Sequence, residues 1–318
     1  MVKTYSLSKD GNTSLSPHFK VKEFYRDGDV VEIDTELIEK LEMLSDCVNN
    51  APIIINTTHD AFSVNLYVNG YTAKQIAVLS EMCDFKGISV LNNKTIFLSV
   101  NEYEEKPNFI KTCGWIHIVK FKKKFIKSIT FPEIRDSIKN YAKRFNDSGT
   151  HILTGCFWCT YKFAQYNYKT NGEHIRTFPD HKYGIGVTRD GEVKYGHIDY
   201  IDYSEFLSGH PVLMDNHKQC NMSYAKEVDG NHPRSVIGYD DDNVYTIAID
   251  GRSSTAKGLN LFALRQLMTH LNIAYAINLD GGGSVAMAKD GKIINTPTEN
   301  RVINNAIVIK YTGESEVN

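Results

Sequence analysis

The sequence has few of the residues that mark the more specialised classes of protein. Its 318 residues include only six cysteines, eight prolines and two tryptophans. Six cysteines are too sparse in a chain of this length for a disulfide-stapled scaffold. Lys plus Arg (36) nearly balance Asp plus Glu (38), which leaves a formal net charge of −2. No field of one sign therefore argues for nucleic acid or an anionic membrane as a partner.

Long apolar runs are also missing. No segment approaches the roughly 20 apolar residues that a membrane helix needs, and the first residues lack the apolar stretch of a signal peptide. We therefore expect a protein made in the cytoplasm, without a membrane partner. This expectation is also compatible with a virion-associated protein, which needs no signal peptide.

The chain has the composition of a globular protein, with 42% hydrophobic and 23% charged residues, and its length favours two domains. One C-x-x-C pattern occurs, Cys156-Phe157-Trp158-Cys159. It lacks a strand-to-helix redox context, so we interpret it as a pair of buried thiols in preference to a redox or zinc site.

The first hundred residues alternate between helix and strand signals. Asp34 is placed to cap a helix with a buried stripe of Leu37, Leu41, Leu44 and Val48. Thr72-Ala73-Lys74-Gln75 has the form of a capping box for a second helix. Apolar runs at 52–55, 87–91 and 95–100 predict strands. We expect a small α+β domain over 1–103 and a polar, proline-closed linker over 104–111.

The remainder, 112–318, is predicted to be a larger, strand-rich α+β domain. A strand is expected over 116–121, and Pro132 is typical of the start of a helix that buries Ile134, Ile138, Ala142 and Phe145. Beyond 150 the pattern is mostly strands, with tight hairpins expected at 190–191 and 290–291 and one strong helix over 260–271.

Three consecutive glycines follow a buried strand at Asp280-Gly281-Gly282-Gly283. Such a run suggests a backbone that takes positive φ or allows close approach, and its amides can form a concave anion-binding nest. It is not a P-loop, because no Gly-Lys-Ser/Thr follows. On this stretch alone, a tight turn with a structural Asp explains the pattern equally well.

Four blocks around this turn resemble the phosphodiester glycosidase family in order and spacing. They are residues 232–238, 244–252, 278–284 and 302–308. Residues 208–213 are similar to the family's glycine-proline-leucine strand segment, which extends the resemblance over about 112–312. It implies a hydrolase that cleaves the glycosidic bond of a sugar-1-phosphodiester, of the N-acetylglucosamine-1-phosphodiester kind, within a cell-wall polymer, capsule or glycolipid.

Breaking a bond between sugar C1 and a phosphate oxygen requires a carboxylate beside C1 and donors around the phosphate. Asp280 and Asp250 each follow a buried strand and are the candidate catalysts, and we expect Asp280→Asn and Asp250→Asn each to abolish sugar release with the melting temperature nearly unchanged. The candidate substrate-binding residues are Arg234, Arg252, His232, Gly281, Gly282, Gly283, Ser284, Asn305 and Thr154.

Several of these roles carry alternatives. Arg252 and Arg234 are expected to clamp phosphate in a bidentate manner. His232 either donates to the substrate or only orients its loop, and Asn305 either caps backbone or binds sugar. Thr154 stands where the family usually has an asparagine that opens its core, which places full activity in doubt. No cofactor or metal site is predicted, and a divalent cation near the aspartates is left open.

The first domain resembles the D-Ala-D-Ala carboxypeptidase type of zinc peptidase, through residues 15–24, 52–56 and 66–100. Active members bind zinc through two histidines and an aspartate. Here Asn65 and Phe97 stand at two of those positions, and only His59 is left. One histidine cannot hold zinc, so we expect a domain that has kept its fold and lost its metal.

Two functions therefore compete. The first is a glycosidase whose partner is a sugar phosphate or cell-wall glycan. The second is a non-catalytic phage tail or receptor-binding protein, built from inherited enzyme folds and partnered by other virion proteins. The intact blocks around Asp280 and Arg252 favour the first, whereas the emptied zinc positions and Thr154 favour the second.

Overall fold

The chain divides at Cys113 into two units, Met1–Cys113 and Gly114–Asn318. The structure is a computed structural model that describes residues 1–26, 28–102, 108–145, 148–157, 164–221, 228–312 and 316–317. In both units short helices accompany antiparallel strands, and the strand-rich α+β class is confirmed.

The first unit contains strands and helices in alternation. Its elements are β1 (Val2–Ser6), α1 (Leu7–Asp10), β2 (Val30–Asp34), α2 (Thr35–Cys47), β3 (Ile53–Asp60), β4 (Ser63–Val68), α3 (Ala73–Met82), β5 (Gly87–Val90), β6 (Ile96–Ser99) and α4 (Phe109–Thr112). β1 pairs with β2, and the other strands form an antiparallel sheet in the order β3-β4-β6-β5.

Both long helices of this unit begin as their sequences predict. The Asp34 carboxylate accepts a hydrogen bond of 2.8 Å from the Glu36 amide, which satisfies one of the free donors at the start of α2. Thr72 and Gln75 form the expected capping box at α3. Of the expected linker, residues 103–107 lie outside the described residues, and α4 occupies most of the rest.

The second unit is built mainly from strands. Its elements are β7 (Ile116–Lys122), β8 (Ile126–Thr130), β9 (Glu133–Asp136), α5 (Ile138–Ala142), β10 (Thr150–Thr154), β11 (Tyr168–Thr170), β12 (Glu173–Arg176), β13 (Tyr183–Thr188), β14 (Val193–His197), β15 (Tyr203–Ser208), β16 (Val212–Asp215), β17 (Lys218–Gln219), β18 (Arg234–Tyr239), β19 (Asn243–Ile249), α6 (Leu261–His270), β20 (Tyr275–Asn278), β21 (Met287–Lys289), β22 (Lys292–Ile293), β23 (Ile303–Tyr311) and β24 (Glu316–Val317).

Among the described residues these strands form three sheets. One has the order β17-β16-β20-β18-β19-β7-β24, another β22-β21-β10-β23-β8 with β9 also paired to β23, and the last β12-β11-β15-β13-β14. β18 and β19 are buried along their whole length, although β18 begins with Arg234 and Ser235.

The main core lies where side chains from the three sheets meet. Successive side chains of β10 point to opposite faces of its sheet. Leu153 therefore joins the main core, whereas Ile152 packs on the other face with Ile138 and Ala142 of α5. α6 covers β16 through its buried side, which includes Leu264 and Met268.

The predicted start of the helix at Pro132 is wrong. Residues Glu133–Asp136 form β9 and pair with β23, and the helix begins only at Ile138. Ser137 provides the cap, since its hydroxyl accepts a hydrogen bond of 3.2 Å from the Asn140 amide. Pairing with a distant strand has overridden the helical spacing of Ile134.

The predicted hairpins and the predicted helix over 260–271 are confirmed. Asp190-Gly191 joins β13 to β14, and Asp290-Gly291 joins β21 to β22 with φ of 50° and 79°. α6 begins after Asn260, whose side chain accepts from the Ala263 amide. Within the described part of the chain, no helix is both long enough and apolar enough to cross a bilayer.

Candidate active site

Three strands bring the predicted site residues to one edge of the largest sheet. β18 is antiparallel to both β19 and β20, so its start lies beside their ends. Asp250 follows β19 and Asp280 comes two residues after β20, whereas His232 and Pro233 precede β18. The Gly282 amide donates to the Pro233 carbonyl at 3.0 Å. The two aspartates therefore share an edge, although β18 separates their strands.

Asp280 is half-buried at this edge. Its amide donates to the Gly155 carbonyl at 3.1 Å, and its Oδ1 accepts from the Gly281 amide at 2.9 Å. The Cys156 thiol lies close by, and burial raises its pKa to about 12, with the Asp280 charge adding to the rise. Cys156 is therefore a neutral buried thiol at physiological pH, while Cys159 lies outside the described residues.

The glycine turn has fewer free backbone amides for a ligand than the sequence predicts. The Gly281 amide is used by Asp280, and the Gly282 amide by Pro233. Gly282 adopts the left-handed conformation with φ of +59°, as expected for a glycine-dependent turn. The predicted nest of three available amides is therefore wrong for Gly281 and Gly282, because their hydrogen bonds are internal.

Arg252 lies against this turn. A β-carbon at position 282 would come within 2.8 Å of the Arg252 Nη2 atom, so the guanidinium rests on the bare Gly282 backbone. The Arg252 side chain is 46% exposed and can meet a ligand from solvent. This is the position expected of an anion-binding arginine.

The guanidinium group of Arg234 does not face solvent. It is 3% exposed, with Nε donating to the Leu259 carbonyl at 2.9 Å and Nη2 to the Gly230 carbonyl at 2.7 Å. Burial lowers its pKa to about 10, so it stays charged at neutral pH. The expected bidentate clamp through Arg234 is replaced by a buried cation that ties two loops together.

His232 belongs to the same loops. Its Nε2 donates to the Asp229 carbonyl at 3.1 Å, and its backbone exchanges hydrogen bonds with Leu259. Burial lowers its pKa, and the positive charges of Arg234 and Arg252 lower it further. These contacts favour the loop-orienting alternative, and the electrostatic coupling places His232, Arg234 and Arg252 in one basic group.

Asp250 is almost fully buried, at 4% exposure. Its Oδ2 lies 2.8 Å from His117 Nε2, and its Oδ1 accepts from Asn295 Nδ2 at 2.9 Å. The Thr296 amide donates to both carboxylate oxygens at 3.0 Å. These hydrogen bonds let Asp250 anchor the segment after β22, and its predicted catalytic role stays a prediction.

Thr154 and Asn305 support the turn from the core. The Thr154 hydroxyl donates to the Ser284 carbonyl at 2.6 Å and accepts from the Ala286 amide at 3.0 Å. Asn305, inside β23 and not before it, accepts from the Cys156 amide at 2.9 Å. Both residues are 1% exposed, so neither is placed to bind substrate, and Asn305 takes the backbone-capping alternative.

Ser284 differs from these two residues, because its hydroxyl has no hydrogen-bond partner among the described residues although the side chain is buried. It lines a cleft of about 220 Å³ together with Glu299 and Arg301. Neither of these charged residues is predicted by the sequence, because they belong to no strand or recognisable motif. Their proximity to the turn depends on the fold of the 294–302 segment.

An aromatic group near the end of β20 is also absent from the sequence predictions. The His181 ring centroid lies 4.3 Å from that of Tyr166 and 4.9 Å from that of His210. His210 is tied to Asn278, just ahead of Asp280, by its amide at 2.9 Å and its carbonyl at 2.7 Å. Such rings, half-buried or exposed, provide a surface suited to a sugar face.

Residues 160–310 match the family model described as phosphodiester glycosidase. This match lies wholly within the second unit. The matched stretch includes all four blocks that carry the resemblance, as well as Asp280, Arg252 and Arg234. Thr154 lies before it.

Two relatives illustrate the sequence similarity to known proteins. N-acetylglucosamine-1-phosphodiester alpha-N-acetylglucosaminidase of Mus musculus is 24% identical over 136 residues, which is 36% of this chain. An SPbeta prophage-derived uncharacterized protein of Bacillus subtilis is 30% identical over 97 residues, which is 30% of this chain. The chain spans 26% of the length of the mouse protein and 15% of the bacterial one.

A solved structure of a hypothetical protein from Synechocystis has a similar fold. Its TM-score is 0.52 at 10% identity, and the match covers 82% of this chain and 76% of that one. Identity this low speaks for the fold alone.

Proposed function

We propose that this domain hydrolyses the glycosidic bond of a sugar-1-phosphodiester within a cell-wall polymer, capsule or glycolipid. One observation carries the proposal. Asp280, a half-buried carboxylate, lies at the sheet edge beside a basic group that includes the solvent-facing Arg252. A carboxylate next to an anion-binding cation matches the two charges that develop when the bond between C1 and the phosphate oxygen breaks.

Each residue of the site has a separate role in this reaction. The electron pair of the C1–O bond leaves with the phosphate, water bonds to C1 through its oxygen, and the proton that this water loses passes to the released phosphate or to solvent. Asp280 stabilises the positive charge that develops on the sugar ring, and Arg252 binds the departing phosphate. Arg234 and His232 hold the loops that flank Arg252, and the rings of Tyr166, His181 and His210 contact the sugar.

A panel of sugar-1-phosphodiesters and cell-wall polymers, scored for released reducing sugar, tests this function. We expect release by the native chain and a loss of about 100-fold or more in Asp280→Asn, which removes the transition-state charge. Asp241→Asn, at an exposed turn, is the matched control and should retain full activity. Turnover by Asp280→Asn at the native rate would remove that residue from the mechanism.

A second candidate is a non-catalytic virion protein that binds a cell-wall polymer. Its support is the prophage origin of the Bacillus subtilis relative. Labelled native protein that binds cell-wall polymer without releasing sugar from any diester would favour this candidate over the enzyme.

We further propose that the first unit derives from a zinc peptidase and has lost its metal. The sheet register supports this, because Asn65 on β4 lies directly opposite Phe97 on β6 and Thr57 on β3. The two altered ligand positions are thus neighbours in the sheet, whereas the side chain of His59 lies outside the described residues. Stoichiometric zinc bound within residues 50–100, measured by metal analysis, would contradict the proposal.

A further inference from the structure

Glu299 occupies an unusual place on the glycine turn. A β-carbon at position 283 would collide with its Oε1 and its carboxylate carbon. The carboxylate therefore rests directly on the bare backbone of Gly283, which only a glycine at that position permits. An anion is already seated at the point where the sequence predicted an anion-binding turn.

Two arginines from separate segments surround this carboxylate. Arg301, just before β23, donates to Glu299 Oε2 through Nε at 3.0 Å and Nη2 at 2.7 Å. Arg252, after β19, brings its Nη1 to 3.8 Å from Oε1. Two guanidinium groups therefore share one carboxylate, which leaves the cluster with an excess of positive charge.

In the cluster of Arg252, Glu299 and Arg301, the carboxylate can exchange with an external anion. Glu299, Arg252 and Arg301 are 45%, 46% and 41% exposed, so their ion pairs are solvated and contribute little to stability. The adjoining cleft of about 220 Å³, which Ser284 and Asn300 also line, leaves room for a ligand or for the displaced Glu299 side chain. An external anion can therefore replace the carboxylate without unfolding any element.

We propose that Arg252, Arg301 and the Gly283 backbone form the phosphate subsite, and that Glu299 is an internal competitor which a substrate phosphate displaces. This inference rests on the proposed function and deepens it. Arg301 then acts as a binding residue, and Glu299 restrains binding of weak anions. Phosphate resembles the carboxylate in charge and in its fit to arginine, but offers more acceptor oxygens.

Binding of inorganic phosphate, measured by titration calorimetry at fixed ionic strength, tests the subsite. We expect Glu299→Gln to bind phosphate about threefold more tightly than the native chain or better, because a competing and repelling charge is gone. The double variant Glu299→Gln/Arg301→Ala should bind about tenfold more weakly than Glu299→Gln, because a charge-assisted contact is lost. Circular dichroism checks that each variant is folded.

Glu192→Gln is the matched control, since Glu192 forms an exposed ion pair with Lys194 and its neutralisation changes the net charge equally. It should leave phosphate affinity unchanged. Equal affinity in Glu299→Gln and the native chain, equal affinity in the single and double variants, or no binding in any of them would each overturn the inference. Because binding requires no turnover, failure of sugar release with these affinity changes intact would reject the proposed function and not the subsite.

Discussion

At the scale of the residue, Arg252 is the most unusual position of the site. Its φ of 59° lies in the left-handed region, which costs an L-residue with a side chain about 1 kcal/mol. That backbone conformation accompanies a guanidinium placed on Gly282. Glycine would adopt it without the cost, so the arginine is retained at the expense of stability.

Arg252→Ala and Arg252→Gly separate strain from function. Both remove the guanidinium and should lose phosphodiester binding, but Arg252→Gly should unfold with a free energy about 1 kcal/mol higher than Arg252→Ala. Urea unfolding measures the difference. Arg189 is an exposed arginine whose backbone is not in the left-handed region. There the order of stability should reverse, so that Arg189→Gly is less stable than Arg189→Ala. The same order at both positions would refute strain at Arg252.

Among the elements, the 294–302 segment contributes Glu299 and Arg301, two of the three charged residues of the cluster, but it has no regular structure of its own between β22 and β23. Asp250 anchors its first residues through Asn295 and Thr296, and Arg301 ends it beside the turn. A buried carboxylate thus substitutes for strand pairing and holds the segment in place.

Asp250→Asn should therefore lower the free energy of unfolding by about 1–3 kcal/mol, because it disturbs a buried carboxylate that accepts several hydrogen bonds. The sequence alone led us to expect no change in melting temperature for this variant. Asp280→Asn should stay within about 0.5 kcal/mol of the native chain, since Asp280 is half-buried and an amide oxygen can still accept from Gly281. Thermal unfolding of both variants tests the contrast, and equal melting temperatures would contradict it.

At the scale of the whole molecule, His151 is a buried base between two sheets of the second unit. It lies on β10, with Nε2 2.8 Å from the Thr246 hydroxyl on β19 and its ring 5.1 Å from that of Phe121 on β7. Burial lowers the pKa of His151 to about 3, with the charge of Lys289 as a smaller cause. The folded protein therefore keeps this ring neutral, whereas the unfolded chain protonates it near pH 6.5.

This difference predicts acid sensitivity with a definite sign. The lowered pKa means that the unfolded state binds the extra proton, so the contribution of His151 to stability is present above pH 6.5 and is lost as pH falls toward 3. Between pH 7.5 and 4.5 we expect a loss of about 2–3 kcal/mol from this residue. His151→Gln should reduce the pH dependence of urea unfolding by that amount, whereas exposed His174→Gln should not.

Local features of the fold were predictable because they depend on neighbours in sequence. The caps at Asp34, Thr72 and Asn260 satisfy amides two or three residues away, and Asp290-Gly291 makes its hairpin through its own dihedral preferences. The helix start at Pro132 failed because β9 pairs with β23, a strand more than 160 residues distant. No local pattern contains that pairing.

The amino-acid sequence was enough to place Asp280 and its glycines after a buried strand within a phosphodiester glycosidase-like stretch, since strand, turn and spacing are local. The charges that face the turn could be identified only from the folded chain. It buried Asp250 and Arg234 among hydrogen-bonding partners, and it brought Glu299 and Arg301 onto Gly283. Burial and hydrogen bonding of a charged group depend on segments that meet only when the chain folds, so residue type and spacing cannot assign its role.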